Sequence, residues 1–165
     1  MDATELRNSL VALRSASFAW AVVCCRDREL AEDGLQSVYV KVLNGRALHE
    51  GRSSFRTWLF AVIRNAARDQ RRERWWARVV RFEPNSLATE GDPQVDEDEL
   101  SLVRAALAKL PERQRQLAHL LFYEDLTIAD AAEVMGVTVG TARQHYARAK
   151  ESLRTRLKPL SREAG

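Results

Sequence analysis

A chain of 165 residues has room for one medium domain or two small helical ones, each with a modest core. Hydrophobic residues at 45%, charged residues at 30%, and only seven glycines and four prolines exclude a disordered tract or a collagen-like repeat and lean towards helices. The net charge of +3 hardly advertises a polyanionic partner, but its distribution does: arginines crowd 64–81, basic residues recur over 143–162, and acids dominate 90–99.

No apolar run approaches a membrane span, and the N-terminus, with Asp2 and Glu5, lacks a basic region before a hydrophobic core. A cytoplasmic protein without membrane insertion is therefore expected. Cys24 and Cys25 are adjacent, which argues against a disulfide framework and for small core residues near a helix end.

In chain order, an imperfect helical stripe runs over 5–24 through Leu6, Leu10, Leu13, Phe18, Ala21 and Val22. A second helix is predicted over 29–43, with Ala31, Leu35, Val38, Tyr39 and Val42 inward and Asp33, Gln36 and Val40 outward. Val40 is an apolar residue on a wet face, among polar groups suited to a partner. Residues 44–51, with two glycines and no periodicity, read as a loop. Ser53 or Ser54 can cap the next helix, which runs to about Arg74 or beyond, with Phe55, Trp58, Leu59, Val62 and Ala66 inward. Its opposite side carries Thr57, Arg64, Arg68 and Arg71 with Phe60 beside them, a basic stripe edged by an aromatic that suits phosphates and bases. Alone, such a stripe also fits a merely solvated face.

Periodicity dissolves over 82–98, where Pro84, Asn85, Gly91, Asp92 and Pro93 read as a flexible linker with an acidic end. Helices resume over 99–110 and 112–123, with Pro111 fitting a first turn. Thr127 can cap a short helix over 128–135, Gly136 can end it in the left-handed conformation, and Thr138 can cap another from Val139. Ala132 followed by Gly136 is the helix-turn-helix spacing. The second helix buries Val139, Ala142, Tyr146, Ala149 and Leu153 and shows Thr141, Gln144, His145 and Arg148, with Arg143 on the flank. Glutamine suits adenine, and arginine suits guanine or phosphate. A helical hairpin packed on another protein is the competing reading.

Enzyme chemistry finds little footing. The chain has no phosphate-binding glycine loop, no HExxH and no paired-cysteine metal spacing, and His49, His119 and His145 fall in different elements. Neither a cofactor nor a metal is expected. A helix-turn-helix alone leaves open a regulator that works without polymerase, or a helical adaptor that does not bind DNA.

Taken together, the blocks resemble the extracytoplasmic-function (ECF) sigma factors along nearly the whole chain. AEDGLQSVYVKVL at 31–43 is similar to the family's polymerase-clamp-binding helix. GRSSFRTWLFAVIRNAARD at 51–69 looks like its −10 recognition segment, and 110–157 resembles its −35 recognition domain. The resemblance implies an all-α protein of two small helical domains, 1–80 and 100–160, joined by a linker over 81–99. Its partners would be core RNA polymerase and promoter DNA, with room for an anti-sigma protein. Asp33, Gln36 and Val40 would contact the polymerase clamp. Residues 44–53 would form a pocket for an extruded −10 base, and Phe60, Arg64, Asn65, Arg68 and Arg71 would hold the −10 strand. Thr141, Arg143, Gln144, His145 and Arg148 would read the −35 element, and acidic 92–99 would partly mimic nucleic acid. Two departures stand out. Gly34 and Ser37 replace the bulky apolar and acidic residues typical of the clamp helix, and Gly34 should cost that helix up to about 1 kcal/mol against alanine. Trp75 and Trp76 stand where the family usually has more basic residues.

Overall fold

The computed structural model describes residues 1–81 and 99–163, with side chains omitted at 75, 76, 78, 80, 81, 99, 100 and 159–163. The expected linker and its acidic stretch over 92–98 thus lie outside the described residues, as do the side chains of Trp75 and Trp76. Among the described residues there are helices and turns and no strand.

The helix expected over 5–24 is two helices, α1 (Ala3–Ala12) and α2 (Arg14–Cys25), bent by 62° at Leu13. The sequence carries the reason: the apolar stripe slips phase between Leu13 and Phe18, so a straight helix could not bury both halves. A capping box starts α1, with Thr4 and Glu5 N–H donating to Asp2 Oδ1 at 2.8 Å and Asp2 N–H donating to Glu5 at 2.9 Å. Asp27 caps α3 (Arg28–Leu43), whose inward Ala31, Leu35, Val38 and Val42 are buried, while the half-buried Tyr39 donates its hydroxyl to Leu10 O at 3.3 Å. Of the two serines, Ser54 caps α4 (Phe55–Arg81), taking the Thr57 N–H at 3.1 Å. No single described helix is long and apolar enough to cross a membrane.

Beyond the linker come α5 (Glu99–Ala108), α6 (Glu112–Ala118), a π-helical turn (His119–Tyr123) that continues α6, α7 (Ile128–Met135) and α8 (Val139–Glu163). Gly136 ends α7 at φ +63°, a backbone conformation that side chains with a Cβ rarely adopt.

The two halves share one apolar core. Leu10, Trp20, Leu35, Leu59, Phe60 and Ile63 from the first half are continuous with Leu117, Leu120, Ala131, Val134 and Met135 from the second. Trp20 is fully buried at their junction. Its ring stacks on Phe60 (centroids 6.0 Å apart) and on His119 (5.7 Å), and its indole N–H donates to Phe60 O at 2.9 Å. Burying an aromatic side chain of this size stabilises by roughly 2–3 kcal/mol.

His119 titrates inside this junction. Burial pushes its pKa below the ordinary 6.5, opposed by the Glu124 carboxylate beside it. Well above 6.5 the ring is neutral whether folded or not; below it, the unfolded chain takes up the proton first, so stability falls with pH until the lower folded pKa is passed. Between about pH 7.5 and about pH 5.5 the thermal midpoint should fall more steeply for the natural chain than for His119→Gln. Parallel slopes in differential scanning calorimetry would refute this.

Candidate nucleic-acid interface

The outer face of α3 carries Asp33, Gln36 and Val40, all exposed, Val40 to 55%. None of the three serves the core, so the face is free for a partner. Gln36 also lines an apolar groove of about 690 Å³ between α1, α2 and α3, whose walls include Arg7, Arg14 and Arg28. On the inner side, a Cβ at Gly34 would lie 3.1 Å from Gln70 Oε1 of α4. The glycine therefore leaves room for the end of the Gln70 side chain, which its helix propensity alone did not suggest.

On α4 the structure divides the expected basic stripe. Asn65, Arg68 and Arg71 are exposed, but Phe60 is 0% exposed and Arg64 6%, and Thr57 is buried with them. The expectation that Phe60 and Arg64 present themselves on an open face is corrected by the second half of the chain, which covers that face. Phe60 is core, packed by Trp20 and by the Arg56 guanidinium 5.5 Å from its ring centroid. Arg64 donates through Nε to Gln116 Oε1 at 3.0 Å. Burial, and after it the nearby Arg68, weakens its hold on its proton. A guanidinium nonetheless stays charged in a protein.

Two further contacts flank that one. Arg56 pairs with Glu124, which is almost fully buried and also lies 3.2 Å from His119 Nε2, and Arg71 pairs with Glu112. Sequence reading missed Arg56, Glu112, Gln116 and Glu124. The signal was present, because Phe55, Trp58, Leu59, Phe60, Val62, Ile63, Ala66 and Ala67 surround more of α4 than one apolar stripe requires.

The loop over 44–53 leaves α3 with Gly45 and Gly51 at positive φ. His49 lies within it against Ser53 O at 2.7 Å and between the Phe55 and Trp58 rings, a structural environment. Among the described residues no three His, Cys, Asp or Glu side chains gather to hold a metal ion. Burial, then the neighbouring Cys25, raises the Cys24 thiol pKa, so Cys24 stays a neutral thiol rather than a nucleophile.

In the helix-turn-helix, Thr127 accepts the Asp130 N–H at 3.1 Å and Thr138 accepts the Thr141 N–H at 3.1 Å. Ala132 and Ala142 are buried where α7 meets α8. Arg143, Gln144 and Arg148 are exposed along α8. The other two expected contacts are less free. The Thr141 hydroxyl accepts from Thr138 at 2.9 Å within the cap, and His145 is half-buried with its Nε2 enclosed, its pKa lowered by burial and then by Arg113 and Arg148. The physical reason is position: Thr141 sits in the first turn beside the cap, and His145 turns towards α6.

Sigma-70 region 2 matches residues 12–77, and sigma-70 region 4 matches residues 100–153. The RNA polymerase sigma-H factor of Pseudomonas aeruginosa is 30% identical over 84% of this chain and 78% of its own length. The ECF RNA polymerase sigma factor SigC of Mycobacterium tuberculosis is 33% identical over 74% of this chain and 68% of its own. This chain belongs to the ECF sigma factors. Among solved structures, the sigma factor RpoE in complex with the anti-sigma factor NepR from Bartonella quintana is similar at a TM-score of 0.73 and 26% identity, covering 93% of this chain and 97% of that one. In this ECF sigma factor, therefore, α2–α4 make up most of the region 2 match, and α5–α8 carry the region 4 match.

The Thr138 cap fixes where the second helix of the turn begins. Thr138→Ala should lower stability by about 1 kcal/mol, measured by chemical denaturation. Thr138→Ser, which keeps the acceptor oxygen, should lose much less. Equal losses for the two would show that the hydroxyl is not what matters.

Proposed function

We propose that this chain docks on core RNA polymerase through the outer face of α3 and carries two promoter-reading surfaces, one on α4 and one on α8. The chemistry of RNA synthesis belongs to the polymerase, and this subunit supplies binding energy that locates and opens the promoter in the cytoplasm. The observation that carries the reading is the order of the two sigma-70 regions in one chain, each with exposed groups of the right chemistry: Asn65, Arg68 and Arg71 in the first, Arg143, Gln144 and Arg148 in the second. Region 2 would occupy 1–80 and region 4 would occupy 100–160. The similar sigma factor solved in complex with the anti-sigma factor NepR supports such a partner here as well. A regulator working without polymerase would leave the exposed Asp33, Gln36 and Val40 without a role.

Holoenzyme reconstituted with this chain should open a cognate promoter, followed by a fluorescent base in the −10 element, while the free chain should not. Opening by the free chain that matches the holoenzyme would favour an autonomous regulator. Asp33→Ala and Val40→Asp should weaken core-polymerase binding with the thermal midpoint nearly unchanged, because both side chains are exposed. A titration giving equal affinity for the natural chain and both variants would remove α3 from the interface. For the −35 element, replacing Gln144 or Arg148 should cost about 1–3 kcal/mol at the preferred site and change base preference. Unchanged preference in a randomised −35 library would rule this assignment out.

A further inference from the structure

Along α4, Arg64, Arg68, Arg71 and Arg72 share one face, at the spacing i, i+4, i+7, i+8. Opposite them α6 contributes Glu112 and Arg113, and the six side chains line a cleft of about 250 Å³ between the two helices. Five guanidinium groups thus meet one carboxylate. That carboxylate is already engaged, because Glu112 accepts from Arg71 and from the Gln116 amide, the latter at 3.2 Å. Arg64 donates through Nε to the neutral Gln116 Oε1 at 3.0 Å. Arg68, Arg72 and Arg113 have no ion-pair partner among the described residues. We propose that this cleft binds a free oligophosphate anion, a chain of two or three linked phosphates, held jointly by α4 and α6.

The charge and shape of the cleft select the ligand class. Like charges brought together repel, and the effect is visible at Arg64, where burial first, and then Arg68 and Arg113, weaken its hold on its proton. Linked phosphates carry several negative charges near neutral pH, enough to offset most of the excess of guanidinium over carboxylate. Their oxygens also match the planar arginine fork, which a single carboxylate can occupy on only one or two side chains at once. A volume of about 250 Å³ is the liquid share of about eight water molecules. That suits linked phosphates and little more, so any nucleoside attached to them would lie outside. A promoter strand matches the cleft less well: its phosphates are spread along a backbone, and α6 closes one side of the space. The site shares Arg68 and Arg71 with the strand-reading face, but it also needs Arg72 and Arg113, to which that reading gives no part. Because Arg113 belongs to the second half of the chain, an occupied cleft ties the two halves together.

The site is tested by isothermal titration calorimetry of the full chain with inorganic tripolyphosphate, at about 0.15 M salt and without divalent cations. One anion should bind per chain. Orthophosphate, which is too short to reach both helices, should bind at least about tenfold more weakly. Arg72→Ala and Arg113→Ala should each weaken tripolyphosphate about tenfold, as the loss of one charge-assisted contact does. Both side chains are exposed, so if one variant folds poorly the other carries the comparison. Arg154→Ala removes the same charge from an exposed position outside the cleft and should leave the affinity unchanged. Glu112→Gln, which removes the carboxylate from the wall, should tighten binding. ATP distinguishes the sources of the phosphates. Binding as tight as that of tripolyphosphate would assign the cleft to nucleoside polyphosphates, and weaker binding would assign it to inorganic chains; either result supports an oligophosphate site. Absence of binding, several anions per chain, or an equal loss in Arg154→Ala would overturn the inference, the last two by showing only diffuse attraction to a basic surface. Those outcomes would leave strand reading by Asn65, Arg68 and Arg71 standing, because a separate titration with a single-stranded −10 oligonucleotide measures it.

Discussion

A guanidinium cannot surrender its charge, so every arginine along the inner edge of α4 requires an acceptor in whatever arrangement the chain adopts. Water supplies one for an exposed arginine such as Arg68. For Arg64, buried to all but 6%, the protein must supply it, and Gln116 does so. Leaving that charge unpaired would cost more than most packing contacts return. The need for acceptors therefore dictates where α6 lies against α4, and the position of α6 fixes the helix-turn-helix beyond it.

Apolar packing then makes this placement specific. Trp20 is stacked by Phe60 on α4 and by His119 at the start of the π-helical turn, and its N–H is taken by the Phe60 carbonyl. A single side chain of α2 thus reports on both halves of the chain. The junction is bonded at its edges by Arg56 with Glu124 and Arg71 with Glu112 and between them by the buried Arg64–Gln116 pair. The edge pair at Arg71 is largely exposed and contributes little in salt, as exposed ion pairs do. The Arg56 pair is better shielded and matters more for register.

Much of this was legible in the sequence where the signal is local. Caps at Ser54, Thr127 and Thr138, the turn at Gly136 and the inner stripes of α3 and α8 arise from side-chain chemistry within a few residues, and the helices stand where those signals place them. The break at Leu13 was visible only as an irregular stripe. The fate of Phe60 and Arg64 was not legible from one helix, because exposure is decided by what packs against a face. A period of 3.6 residues says which residues share a face and nothing about its partner. Gly34 shows the same limit. Propensity gives its cost to α3, whereas its proximity to Gln70 is a property of two helices together. Among the candidate site residues, Asp33, Gln36, Val40, Gln144 and Arg148 are exposed, on faces that no other described helix covers over.

The π-helical turn explains how one short segment meets both demands on it. Glu124 N–H donates to His119 O at 3.2 Å, spanning five residues where an α-helix spans four. The extra residue widens the helix at its end and rotates the backbone beyond it, so that His119 stacks under Trp20 while Glu124 reaches Arg56. In an uninterrupted α-helix, positions five apart diverge by about 140° around the axis at 100° per residue, too far to face the same neighbouring helix. The wider turn brings the ring and the carboxylate onto one side, 3.2 Å from each other. The turn sits where the chain must stop being helical anyway, since Asp125 comes next at φ +50° after Glu124. Phe122 and Tyr123 are left exposed, Phe122 against Tyr146 of α8 and Tyr123 stacked on His119, so the same distortion ties the junction to the helix that carries Gln144 and Arg148. A change that regularised this turn would therefore disturb the cover over α4 and the seating of α8 together, which couples the two promoter-reading surfaces through a single segment of backbone.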